Sequence, residues 1–233
     1  MTALGASVLI LRLLARFEVM EPLLLHGDGF WNSPYVFSVF VTLTEKGLPF
    51  ATRTVNLREG AQKTPAFQAL SLTSRVPVLE HGAFHLSESS AIVEYLEETF
   101  APPTYPAVLP AAVRDRARAR QIMAWLRSDL LPLREERPTA SFFYKQSMPP
   151  LSSAGRAAVD KLIAAASALL SDGRTSLFDA FSIADADLAM MLQRLVGNGE
   201  AVPGKLRDFV DAQWQRPSVR AFVERERPAY VSY

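Results

Sequence analysis

Three short segments carry residue types that could do chemistry together. The first is Trp31-Asn32-Ser33-Pro34-Tyr35. Serine caps free backbone N–H groups and proline suits the first helical position, so Ser33 opens a predicted helix directly after a strand-like stretch. The unpaired N–H groups and the dipole at such a point favour an anion. A hydroxyl there can also donate a hydrogen bond to a bound thiolate. A free thiol has a pKa of roughly 8.5, and lowering it by two is worth about 2.7 kcal/mol, within reach of a charge-assisted hydrogen bond acting with a helix terminus. The second segment is Arg75-Val76-Pro77-Val78. Proline leading a short strand cannot donate to the ladder, but a cis Val76–Pro77 bond would turn the chain and leave the Val76 N–H and C=O facing a peptide ligand. The third is Glu88-Ser89-Ser90, where Ser89 could hold a carboxylate at a helix start and Glu88 could pair with an ammonium, which suits the zwitterionic end of an amino acid. Taken singly, each has a plainer reading: an N-cap, an edge strand with a trans proline, and ordinary capping.

The elements that must position these residues fall into two halves. Residues 22–98 alternate between strand and helix signals. Leu23–Leu25 reads as a short strand broken by Gly27-Asp28-Gly29, followed by a helix from Ser33 to about Gly47. Thr52–Val55 reads as a strand and Ala61–Leu70 as a helix. Val76–Glu80 and Ala83–Leu86 form a hairpin around His81-Gly82, and a last helix runs from about Ser89 to Phe100. Residues 101–112 contain four prolines and read as a linker. Beyond them apolar residues recur at helical spacing, as in Ala119, Ile122, Met123, Leu126 and Leu130, and shorter helices start at Pro203 and Pro217. Ser182-Ile183-Ala184-Asp185 has the form of a capping box, with Asp in the place usually held by Glu or Gln, and leads into the very apolar Leu188–Val196. That helix is expected at the centre of the second half.

Composition removes alternatives. The 233 residues contain no cysteine, which excludes disulfides, thiolate zinc sites, Cys-x-x-Cys redox pairs and a cysteine nucleophile. The three histidines suggest no metal cluster, and none is expected. A net charge of +1 gives no reason to expect nucleic acid or an anionic membrane as partner. The run Arg114, Arg116, Arg118 and Arg120 points in several directions on a helix and reads as a solvated or inter-domain face. Residues 1–19 are an extension whose apolar run is too short to span a bilayer and lacks the basic segment of an export signal. The preferred reading is a misplaced start with Met20 as the natural one, and the alternative is an amphipathic appendage.

Taken in order, Ser33-Pro34-Tyr35, Arg75-Val76-Pro77-Val78-Leu79, Glu88-Ser89-Ser90-Ala91-Ile92 and Ser182-Ile183-Ala184-Asp185 give the chain a close likeness. Over about residues 20–226 it resembles the soluble glutathione S-transferases, and most nearly their serine-type bacterial members. The resemblance implies an α/β plus all-α protein: a thioredoxin-like βαβαββα domain over residues 20–100, a linker over 101–112, and an all-helical domain over 113–233. It implies that Ser33 activates the thiol of glutathione, the co-substrate. Pro77 would be the cis proline, Val76 would pair with the cysteinyl part of glutathione, and Glu88 and Ser89 would hold its γ-glutamyl end. Arg75 stands where related sequences often carry a basic residue near glutathione. Lys63 could approach the glycyl carboxylate on a looser alignment. Where other branches have a catalytic tyrosine this chain has His26, and Tyr35 reads as a packing residue.

A serine cannot form a mixed disulfide, so the expected reaction is thiolate attack on a small electrophile or a hydroperoxide. The second substrate is expected between the domains, against the helix carrying Trp125 and Arg127, with Phe142, Phe143 and Tyr144 as further candidates for an apolar wall. The resemblance also implies a homodimer, and the lack of an export signal suggests the cytoplasm. The competing readings are a non-catalytic binding or regulatory module on the same fold, and a dehalogenase.

Overall fold

A computed structural model describes residues 21–171 and 173–231. The extension over residues 1–19 and the start at Met20 lie outside the described residues. The strands β1 (Leu23–Asp28), β2 (Phe50–Val55), β3 (Val78–His81) and β4 (Phe84–Ser87) form one sheet in the order β2-β1-β3-β4. β1 runs parallel to β2 and antiparallel to β3, and β3 pairs antiparallel with β4. The expected thioredoxin-like sheet is therefore present, and every strand among the described residues lies before residue 88.

Helix α1 (Pro34–Glu45) begins at Ser33, whose Oγ accepts the Val36 N–H at 3.4 Å. It ends where Gly47 takes a φ of +65°. The Leu48 N–H returns to the Leu43 carbonyl and the Gly47 N–H to that of Thr44, a Schellman motif that satisfies the last carbonyls. Short α2 (Pro65–Gln68) precedes β3, and α3 (Ser89–Thr99) follows β4. The second half holds α4 (Val113–Ser128), α5 (Leu131–Glu136), α6 (Thr139–Phe143), α7 (Ser153–Leu169), α8 (Ile183–Val196), α9 (Gly204–Trp214) and α10 (Pro217–Val223). α8 is buried at nearly every position and packs against α4, α6, α7 and α9, and also against α1. Its capping box is closed: Ser182 Oγ accepts the Ala184 N–H at 3.1 Å and the Asp185 carboxylate accepts the Ser182 N–H at 2.8 Å.

Two expectations need correction. Residues 61–70 are not one helix: a 3-10 turn, Ala61–Lys63, stops before α2. Pro65 biases Thr64 to an extended conformation (ψ 146°), and Thr64 then caps a new turn through Oγ1 to the Phe67 N–H. β1 is not broken at Gly27 but continues to Asp28, opposite Val55. Gly27 serves close packing: a Cβ there would lie 2.9 Å from Val36 Cγ1 and 3.2 Å from the Trp31 ring.

The linker is pinned by a buried ion pair. Lys46, the C-cap of α1, and Glu97 on α3 meet at 2.6 Å with almost no exposure. Lys46 Nζ also donates to the Phe100 and Pro106 carbonyls, while Glu97 accepts the Val108 and Leu109 N–H groups. Both charges are thereby paired and hydrogen-bonded, which a buried ion pair requires.

Candidate active site

Ser33 is half-buried at the start of α1 and lines a cleft of about 590 Å³ with Asp28, Gln62, Lys63, Arg75 and Val76. Thr139, on α6, supplies a wall from the helical half. The position of Ser33 is set by the end of β1. Asp28 accepts the Asn32 N–H at 3.0 Å on Oδ2 and the Ser33 N–H at 3.1 Å on Oδ1, folding the connection back toward the strand. Asp28 is only 2% exposed. Burial pushes its pKa up, opposed by the N–H groups of Asn32 and Ser33 and by the charge of Arg227. Because Ser33 Oγ uses a lone pair for the Val36 N–H, its own proton stays available to a ligand in the cleft. The helix cap and the donor role are compatible.

The cleft continues past Arg75 and Val76 into a second compartment of about 250 Å³, which also contains Pro77, Glu88, Ser89 and Arg127. The Val76–Pro77 bond is cis. Ser71 fixes the approach to it, with Oγ accepting the Arg75 N–H at 3.1 Å and donating to the Arg75 carbonyl at 2.9 Å. Glu88 is exposed and has a φ of +73°, sparsely allowed for a residue with a Cβ, at the N-cap of α3. Ser89 is buried, and its Oγ accepts from Arg127 Nε at 3.1 Å. Ser33, Arg75, Val76, Pro77, Glu88 and Ser89 thus lie along one groove in two adjoining compartments.

Arg127 ties this groove to the helical half. It also donates to Ser38 Oγ on α1 at 3.2 Å and pairs with Asp187 on α8 at 2.8 Å. Tyr35 is not a packing residue: its hydroxyl accepts from Arg134 at 2.8 Å, and both line the compartment of Glu88 and Ser89. His26 is buried in β1, hydrogen-bonded to Glu80 and edge-on to Phe67. Trp125 donates its indole N–H to Asp129 at 2.9 Å and lines neither compartment. Phe143 lies under Arg227, and Tyr144 packs on Phe30 and Tyr230.

Sequence reasoning missed Asp28, Gln62, Thr139 and Arg134 as site residues and left Lys63 aside. Gln62 carries a signal only the fold reveals, a buried side-chain oxygen without a partner on the wall of the cleft. No group of three or more His, Asp or Glu among the described residues could hold a metal ion. No helix among them is long and apolar enough to cross a membrane.

Residues 32–99 match the family model "Glutathione S-transferase, N-terminal domain", and residues 112–226 match "Glutathione S-transferase, C-terminal domain". A crystal structure of a glutathione transferase homolog from Burkholderia gl BGR1, with bound glutathione, is 44% identical to the chain. It covers 88% of this chain and 97% of its own, with a TM-score of 0.72. Maleylpyruvate isomerase from Ralstonia sp is 37% identical over 109 residues, 47% of this chain and 50% of its own length. Glutathione S-transferase theta-2 from Mus musculus is 36% identical over 90 residues, 38% of this chain and 35% of its own length. The chain spans about half, or less, of the length of these two curated relatives.

Proposed function

The chain belongs to the glutathione S-transferase family, and from that premise we propose that it binds glutathione along the groove and activates its thiol at Ser33 for attack on a small electrophile. The observation that carries this reading is the placement of Ser33 Oγ at the N-terminus of α1, on the cleft that continues past Val76 to Glu88 and Ser89. In this reading the cysteinyl backbone pairs with Val76 beside Pro77, and the γ-glutamyl end lies between Glu88 and Ser89. Arg75 and Lys63 supply positive charge toward the carboxylates. The thiol loses its proton to solvent. The thiolate accepts the Ser33 hydroxyl hydrogen bond and feels the positive end of α1. Its electron pair then forms a C–S bond, and the leaving group departs with the pair of the bond it held. In addition to an enone nothing departs: the π pair of the alkene shifts to give an enolate with its charge on the carbonyl oxygen, and the α-carbon then takes a proton from solvent.

The same thiolate can act on a hydroperoxide. Attack on the O–O bond gives an alcohol and a glutathione sulfenic acid, and a second glutathione converts the latter to glutathione disulfide and water. That second thiol must come from solution, since the chain has none. Reversible addition to a cis alkene conjugated to a carbonyl would instead isomerise it, the kind of reaction named for the Ralstonia relative. The unit that binds glutathione is placed at residues 20–100 and the helical unit at 113–233, joined by 101–112, and the working form is proposed to be a homodimer.

The test is calorimetric titration of the full chain with glutathione, followed by turnover assays with an aryl halide, an enone, a cis-dienoic keto acid and cumene hydroperoxide. Binding with turnover of at least one supports the proposal. Binding without turnover of any favours a regulatory module, and no binding at millimolar glutathione overturns the reading of the groove. Light scattering during size exclusion reads the oligomeric state separately.

A further inference from the structure

Next to the compartment of Glu88 and Ser89 lies a small, partly open cavity of about 30 Å³ between α1, α4, α5 and α8, with Tyr35, Arg127, Arg134, Asp187 and Arg194 among its walls. Its charge is unbalanced. Arg127 is paired with Asp187, but neither Arg134 nor Arg194 forms an ion pair among the described residues. Arg194 is 4% exposed; Nη1 donates to the Arg137 carbonyl at 2.7 Å, and Nε is buried with no hydrogen-bond partner. Arg134 gives Nη1 to the Tyr35 hydroxyl and to the Arg127 carbonyl, and its Nε is likewise buried and unpartnered. Tyr35, having accepted from Arg134, keeps its own proton to donate.

Two guanidinium groups side by side, each with an unused N–H and no carboxylate, are costly to bury. Burial lowers the pKa of Arg194 to about 10; the Tyr35 phenol acts in the opposite direction and the charge of Arg134 adds to the lowering. Losing a proton is not an available remedy, because an arginine at that value remains charged at neutral pH. A water molecule would satisfy the N–H groups and leave the charge. A monovalent anion would do both. The cavity is small, about 30 Å³, and has room for a small monovalent anion such as a halide.

We propose that this cavity is a binding site for a single halide-sized anion, chloride in solution, held by the Arg134 and Arg194 guanidinium groups with the Tyr35 hydroxyl. The site adjoins the groove proposed for glutathione and shares Tyr35, Arg127 and Arg134 with its inner wall. An anion there fixes the side chains against which the γ-glutamyl end is proposed to lie. The site itself does not depend on that reading.

The full chain, freed of chloride, is melted in sodium gluconate, chloride and bromide at constant ionic strength. Chloride and bromide are expected to raise the Tm in a saturable way, by roughly 5–10 °C at a hundredfold excess over Kd, and gluconate to have no such effect. Arg194→Met is expected to abolish the halide dependence. Should that variant not fold, Arg134→Gln gives the same reading. Crystals grown in bromide, measured at the bromine edge, are expected to place an anomalous peak between Arg134 and Arg194 without any variant. Equal Tm values in gluconate and chloride overturn the proposal, as does an anomalous map without that peak. Bromide found only on the surface, an adventitious ion only, also overturns it.

Discussion

Asp28 and Ser33 are joined through the backbone, with Asp28 Oδ1 accepting the Ser33 N–H at 3.1 Å while Oδ2 takes that of Asn32. The carboxylate thus holds the residue that caps α1, and Ser33 Oγ is left to cap the helix and face the cleft. The proposed donor is therefore set by a buried group at the end of a strand. Precise placement of a preorganised donor is what makes such a group effective.

Ser33→Ala and Ser33→Gly separate the two uses of the hydroxyl. Alanine removes both cap and donor, and is expected to cost about 1 kcal/mol of stability, whereas glycine at an N-cap costs only a few tenths. Both are expected to raise the pKa of bound glutathione by about 1–2 and to lower turnover at neutral pH by roughly 10–100-fold with little change in Kd. The thiolate absorbance of bound glutathione against pH measures the shift. Activity retained in Ser33→Gly would remove the hydroxyl from the chemistry.

Asp28→Asn keeps the shape and one acceptor oxygen but presents an amide to the other N–H. Leaving a buried N–H unsatisfied costs about 1–3 kcal/mol. Turnover is expected to fall several-fold, with the bound thiol pKa rising as in the Ser33 variants but by less. Urea unfolding and the same absorbance titration give the two readouts. A loss of stability with an unchanged thiol pKa would limit Asp28 to folding.

Lys46 and Glu97 carry the linker. Among the described residues Lys46 has no second carboxylate, so Glu97→Gln leaves a buried charge uncompensated and is expected to destabilise the chain by about 3–5 kcal/mol. In Lys46→Met the Glu97 carboxylate keeps Arg116 at 3.4 Å, and the loss is expected to be smaller. The double variant Lys46→Met/Glu97→Leu is expected to lose less than the sum of the single effects, because neither charge remains. A double-mutant cycle in urea reads the coupling directly, and additive losses would rule out the pair as a unit.

The parts of the site that were legible in the sequence are those whose chemistry is local. Ser33 before Pro34, and Ser182 three residues before Asp185, announce helix starts by short-range hydrogen bonding alone. The capped and nearly all-apolar α8 was legible as a central helix for the same reason. Asp28 was not, because Gly27-Asp28-Gly29 reads as a turn. Only pairing with β2 extends the strand through it and turns the carboxylate toward Asn32 and Ser33. Lys46 at a helix end reads as solvated, and its burial depends on Glu97, fifty-one residues later. Arg127 and Arg134 reach Ser89 and Tyr35 across the two halves of the chain. No periodicity within α4 or α5 encodes those partners.

Asp185 gives the stability of the helical half a pH dependence of definite sign. It is fully buried and accepts the Leu177 N–H at 2.6 Å and the Ser182 N–H at 2.8 Å. Burial outweighs these donors and raises its pKa from 3.8 to about 6. A carboxyl whose pKa is higher in the folded than in the unfolded chain favours folding fully below about pH 4. It loses that contribution as pH rises through about 6, by on the order of 3 kcal/mol at most. Asparagine at this position cannot titrate, and its amide leaves one of the two N–H groups without an acceptor, so Asp185→Asn is expected to be less stable throughout. The gap between the wild-type chain and the variant is expected to be widest near pH 4 and to narrow toward pH 7. Urea unfolding of both proteins at pH 4, 5, 6 and 7 measures it. A gap that is constant with pH would mean that Asp185 titrates alike in the folded and unfolded chains, and its role would then reduce to the hydrogen bonds that start α8.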